Sequence, residues 1–116
     1  MVKTKRVYEP RSPGDGKRIY VDRLWPRGLK KAEADFDVWL KDIAPSDRLR
    51  KWFNHDPVKW KDFEKRYWSE LSRNGEAVGE ILKYVNEGPV TFVFSAKDRE
   101  RNNAIALKEF LERKRK

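Results

Sequence analysis

The chain has 116 residues, of which 41% are charged, and it carries a formal charge of +9 and no cysteine. That composition excludes disulfides, a thiolate nucleophile and a zinc–thiolate centre together, and the length, without a linker or internal repeat, fits one domain over residues 1–116. Hydrophobic residues make up 38%, but five Trp, four Tyr and six Phe give that fraction large apolar area, so a globular chain is expected.

Nothing resembles a signal peptide or an apolar run of about 18 residues, so a cytoplasmic protein with no membrane partner is expected. The sequence has neither Gln nor Cys, a bias that suits a heat-adapted source. Charge is uneven. Residues 1–31 hold ten Lys/Arg against three Asp/Glu, residues 32–96 hold ten against twelve, and residues 97–116 hold eight against four. If the two basic ends meet in the fold, they would attract an anion: nucleic acid, a nucleotide or a phosphorylated metabolite. The closing RKRK, 113–116, reads as a frayed, solvated tail.

KRVY, 5–8, predicts a short strand ended by Glu9-Pro10, and PRSPGDG, 10–16, predicts a turn-rich loop. KRIYVDRLW, 17–25, predicts a second strand with Ile19, Val21 and Arg23 on one face and Tyr20, Asp22 and Leu24 on the other. Apolar residues on both faces suggest a central strand covered on both sides, stopped by Pro26 and Gly28. Phe36, Trp39, Leu40 and Ile43 have the spacing of an amphipathic helix halted at Ala44-Pro45. Ser46 predicts an N-cap for a short helix carrying Leu49, Trp52 and Phe53. Asp56-Pro57 predicts the start of a helix lined by Trp60, Phe63, Tyr67 and Leu71, with Trp68 beside the stripe. Val78, Ile81, Leu82 and Val85 predict the next helix, ended by Gly88-Pro89. VTFVFS, 90–95, reads as a buried strand, and a final helix is expected from about Arg99 to Arg113.

This order predicts a small α/β domain of three layers, with a short, mostly parallel sheet flanked by helices. In such sheets ligands bind beyond the carboxyl ends of the strands. That edge would gather RLWPRG, 23–28, and SAKDRERN, 95–102.

KRVYEP, DGKRIYVDRLWPRGLKK, APS followed by LRKWF, and VTFVFSAKDRERNNA run in order along nearly the whole chain. Through them the sequence resembles the YeaO-like family, small bacterial and archaeal proteins classed as a domain of unknown function. The resemblance implies a compact α/β domain whose signature residues are Asp22, Arg23, Trp25, Pro26, Arg27, Gly28, Ser95, Lys97, Asp98 and Asn102.

The residues themselves point to anion chemistry. Arg23 and Arg27 offer planar forks that match carboxylate or phosphate, and Lys97 offers a point charge. Ser95, Asp98 and Asn102 surround the start of the last helix, where free N–H groups favour an anion. Trp25 divides evenly between core and ligand wall. Asp98 fits better as the N-cap of the last helix than as a ligand contact. The alternative to a ligand role for the arginines is a structural ion pair of Asp22 with Arg23 or Arg27, and Arg27, held between Pro and Gly in a loop, favours function.

Catalysis has less support. Asp22 is a candidate general base. Ser95 lacks a neighbouring histidine in sequence, since the sole one, His55, lies at a helix start. No cofactor or resident metal is expected, although Asp22 and Asp98 could share Mg²⁺ with a nucleotide's phosphates. Enzyme and binder stay open, and so do a nucleic-acid module and a regulatory partner. The interleaved aromatics and lysines of 52–68 motivate the nucleic-acid reading, but their helical spacing turns Trp60, Phe63 and Tyr67 inward and leaves the lysines on a solvated face.

Overall fold

VTFVF is built only from β-branched and aromatic residues, which suit a strand covered on both faces. In the computed structural model, which describes residues 2–114, this run is β4 (Val90–Phe94) and all of it is buried. β1 (Val2–Arg6) lies on one side of it and β2 (Lys17–Tyr20) on the other, with Arg6 opposite Phe94 and Tyr20 opposite Val93. β3 (Val38–Trp39) pairs with β2, giving a four-stranded sheet in the order β1-β4-β2-β3 with every pairing parallel.

Parallel neighbours require crossovers. The segment 7–16 carries the chain from β1 past β4 to β2. The return from β3 to β4 uses α1 (Asp47–Phe53), α2 (Trp60–Ser72) and α3 (Gly75–Glu87), and α4 (Asn103–Lys114) follows β4. Ser46 caps α1 as expected, its Oγ accepting from the Leu49 N–H at 3.2 Å. The Asp56 carboxylate accepts from the Val58 N–H at 3.0 Å, and Pro57 opens a 3-10 turn that runs into α2.

The alternation of β2 sorts the layers. Ile19 and Val21 join Phe92 and Phe94 under all four helices, in a core that takes Phe53 from α1, Phe63, Tyr67 and Leu71 from α2, Ile81 from α3 and Leu107 and Leu111 from α4. Tyr20 and Val93 face the other way and meet Val7, Leu29, Phe36 and Trp39. The fold is therefore α/β, with helices on one face of the sheet and a third layer made of irregular chain. No helix among the described residues is long and apolar enough to cross a membrane.

A charged cluster lies within the third layer. Arg18 is wholly buried, donating to Asp15 Oδ2 at 3.2 Å and to the Val7 and Glu9 carbonyls, while its Nε finds no acceptor among the described residues. Lys5 completes the group, 3.0 Å from Asp15 Oδ2. Burial opposes the Asp15 carboxylate, but hydrogen bonds from Lys5 and the Ser12 N–H, with Arg18 added, outweigh it and hold the acid below its usual range.

Several boundaries differ from the sequence expectation. The first strand is Val2–Arg6 rather than 5–8: Val7 still donates to the Phe94 carbonyl, but the Arg6 N–H turns to the Glu9 carboxylate and the Glu9 N–H to the Arg6 carbonyl, closing a turn. β2 stops at Tyr20 rather than Trp25 because, after one more bond from Val21 to Val93, the Leu24 carbonyl folds back to accept the Tyr20 hydroxyl.

The expected helix over 36–43 is absent. The backbone there bonds to β2 instead, Asp37 N–H to the Arg18 carbonyl at 2.8 Å and Leu40 N–H to the Tyr20 carbonyl at 3.0 Å. Only a 3-10 turn, Lys41–Ile43, remains. The final helix begins at Asn103, and its cap is Asn102, whose Oδ1 accepts from the Ile105 N–H at 2.9 Å; Asp98 instead closes a turn by accepting from Glu100 and Arg101. Arg113 and Lys114 of the expected tail are helical, and Arg115 and Lys116 lie outside the described residues.

Candidate functional site

Because every strand runs the same way, all four carboxyl ends meet at one edge of the sheet. An open cleft of about 1050 Å³ lies there. The loop after β2 lines it with Asp22, Arg23, Trp25 and Arg27, and the loop after β4 with Ser95, Lys97, Asp98 and Asn102. Residues separated by some seventy positions in sequence thus share one concavity.

Asp22 ties these loops together. Its Oδ2 accepts from the Ser95 N–H at 3.1 Å, the Ser95 hydroxyl at 2.6 Å and the Tyr20 hydroxyl at 3.3 Å. Its Oδ1 accepts from Asn103 Nδ2 at 2.9 Å, and that amide also reaches the Val21 carbonyl. The Asp22 carbonyl takes the Trp39 indole N–H at 2.7 Å. Asp22 is therefore held by neutral donors and makes no ion pair with Arg23 or Arg27, which corrects the ion-pair expectation. Burial, with the Asp22 charge next, pushes the Tyr20 hydroxyl pKa far up, so Tyr20 stays a donor.

The cations are arranged differently. Arg23 donates to the Ala44 carbonyl at 3.3 Å and, at the limit of 3.5 Å, to that of Pro45. Arg6 donates to the Ala96 and Ser95 carbonyls at 2.9 and 3.2 Å. Arg27 and Lys97 are exposed and make no side-chain hydrogen bond among the described residues. None of the four forms a salt bridge with a described carboxylate, although six other Lys and Arg residues do. All four line the cleft without an ion pair to a described carboxylate.

The remaining candidates are more committed. Asn102 is buried, spending Oδ1 on the α4 cap and Nδ2 on the Asp98 carbonyl at 2.9 Å. Hydrogen bonds from the Glu100 and Arg101 backbone hold the Asp98 carboxyl below its usual range. The Ser95 hydroxyl donates to Asp22 Oδ2 at 2.6 Å, within reach of a carboxylate base, and that same oxygen also accepts from the Ser95 N–H and the Tyr20 hydroxyl. Asp22 and Asp98 already accept from protein donors, an arrangement that fits structural tethers better than a pair of magnesium ligands. No group of three or more His, Asp or Glu suited to a metal occurs among the described residues.

Trp25 is neither core nor free. Its indole N–H donates to the Leu29 carbonyl at 2.6 Å, its ring packs on Phe36 and Trp39, and 38% of its surface remains exposed. Sequence reasoning missed Arg6 at the end of β1 and Tyr8 just after it, Asn103 on α4, and Asn54 and His55 beyond α1, all of which line the cleft. The strand-edge rule would have found Arg6 and Tyr8 had the first strand been placed correctly. Asn54 and His55 both have positive φ, 45° and 54°, a corner that no local pattern announces. The aromatics of 52–68 behave as helix spacing requires: Phe63 and Tyr67 are buried, while Lys59 and Arg66 lie over Trp52.

Comparison with known proteins agrees with the motifs. A family model described as the inactive DUF488-N3 subclade matches residues 1–116. The uncharacterised protein YeaO of Escherichia coli is 39% identical over 110 residues, covering 95% of this chain and 96% of that protein. Uncharacterised proteins of Mycobacterium bovis and Mycobacterium tuberculosis are 38% identical over 110 residues, covering 95% of this chain and 92% of theirs. No solved structure matches the chain. Four motifs in order, a full-length family match and these relatives together establish that the chain belongs to the YeaO-like family, within the inactive DUF488-N3 subclade.

Proposed function

We propose that the protein binds a small anionic ligand, such as a nucleotide or phosphorylated metabolite, in the strand-edge cleft and holds it without transforming it. The observation that carries this reading is the set of Arg6, Arg23, Arg27 and Lys97 around one open concavity, with none of them in a salt bridge to a described carboxylate. Guanidinium groups already fixed on carbonyls, as Arg6 and Arg23 are, can meet an anion with little further ordering. Binding is favoured over catalysis by the description of the matched subclade as inactive, and the Asp22 carboxylate is engaged by four donors that tie the two loops together.

A thermal-shift screen with phosphate, phosphosugars and nucleotides tests this, because a ligand that binds only the native state raises Tm by mass action. The expected result is a saturable rise with a phosphate-bearing compound that Arg27→Ala abolishes while leaving the unliganded Tm within about 1–2 °C, as for an exposed side chain. A rise of equal size in Arg27→Ala, or no rise with any anion, would refute it.

A further inference from the structure

The cationic side of the cleft is joined to an aromatic side, and together they select among anions. Tyr8 and Trp25 stand at the rim with 39% and 38% of their surfaces exposed, and Leu24 with 56%. An exposed tyrosine or tryptophan ordinarily puts its polar atom in water. Here both polar atoms bond to backbone instead: the Tyr8 hydroxyl donates to the Arg27 carbonyl at 2.8 Å and the Trp25 indole to the Leu29 carbonyl at 2.6 Å. Each ring is therefore oriented by its own polar atom and leaves part of its surface open at the cleft.

Both rings are also fixed before any ligand arrives. The Arg6 guanidinium lies 4.9 Å from the Tyr8 centroid, and Trp25 packs at 5.6 Å from Trp39 and 5.8 Å from Phe36. The Tyr8 bond to the Arg27 backbone connects the aromatic wall to a residue whose side chain makes no ion pair among the described residues. Stacking surface and anion contacts thus form a single preorganised unit.

We infer that the ligand class is a nucleoside monophosphate, with its phosphate toward Arg23, Arg27 and Lys97 and its base against Tyr8, Leu24 and Trp25. This rests on the reading of the cleft as an anion site. A sugar phosphate would use only the cationic half and an uncharged nucleoside only the aromatic half. A cleft of about 1050 Å³ has room for base, sugar and phosphate together. Because every base has a π-face, stacking defines the class and not the base.

The test titrates inorganic phosphate, ribose 5-phosphate, adenosine and adenosine monophosphate into the full chain by calorimetry, with Tyr8→Ala and Leu24→Ser alongside. Adenosine monophosphate is expected to bind about tenfold more tightly than ribose 5-phosphate. Leu24→Ser should reduce that advantage while leaving ribose 5-phosphate unchanged, and Tyr8→Ala, which also frees the Arg27 loop, should weaken adenosine monophosphate more than ribose 5-phosphate. Leu24 is more than half exposed, so its variant keeps the test decisive should Tyr8→Ala misfold. Equal affinity for the two phosphates overturns the ring assignment and leaves the anion site standing. Adenosine binding as tightly as its monophosphate, or no binding by any phosphate, overturns both.

Discussion

Asp15 shows how one side chain stabilises the face of the sheet that has no helices. It stands between Lys5 and Arg18 with 2% of its side chain exposed, and Arg18 has none. Removing one partner from a buried charge cluster leaves the others uncompensated, so Asp15→Ala is expected to lower unfolding free energy by about 3–5 kcal/mol, read as a lower urea midpoint. Its pKa sets the pH dependence as well. An acid whose folded pKa lies below its unfolded value contributes fully above the unfolded value, near about 4, and loses that contribution as the pH falls through the lowered one. The wild-type midpoint should therefore fall as the pH drops below about 4, and Asp15→Ala should show a shallower fall there. Equal slopes would contradict the tethering role.

At the scale of elements, local chemistry explains most of what the sequence revealed. Asp56-Pro57, Ser46 and the stripe from Trp60 to Leu71 specify their helices by capping and spacing alone, and the structure has them. The segment 36–43 was illegible because its apolar spacing serves two different cores: Phe36 and Trp39 pack with Tyr20, while Leu40 and Ile43 pass to the helical side. A helix of eight residues pays a heavy nucleation cost, and the edge of β2 supplies partners a helix could not use. Periodicity cannot distinguish one face from a crossing between two. Gly16 is the tightest junction between elements. It holds φ of 63°, and a Cβ there would collide with the Pro89 carbonyl, which also accepts the first N–H of β2. Gly16→Ala is expected to destabilise by more than about 3 kcal/mol, beyond the ~1–3 kcal/mol of a strained backbone position alone, because β2 and β4 must also move apart. A variant with unchanged Tm would contradict that packing.

For the molecule as a whole, the uneven charge of the sequence becomes geometry. The basic N-terminal and C-terminal segments hold the loops after β1, β2 and β4, and a parallel sheet brings those loops to one edge. The edge itself was legible, since strand direction and the rule for carboxyl ends need only element order. The division of labour within it was not. Whether Asn102 or Asn103 faces Asp22, or whether Asp98 caps a helix or closes a turn, depends on where α4 begins, and one residue along a helix is about 100° of rotation. The most direct test of an anion site at this edge is a phosphate titration followed by amide NMR. The account predicts saturable shifts concentrated at Arg23, Arg27, Gly28, Ser95 and Lys97, with α2 and α3 unmoved. Shifts spread over the exposed lysines of α2 and α3, or none in the two loops, would contradict it.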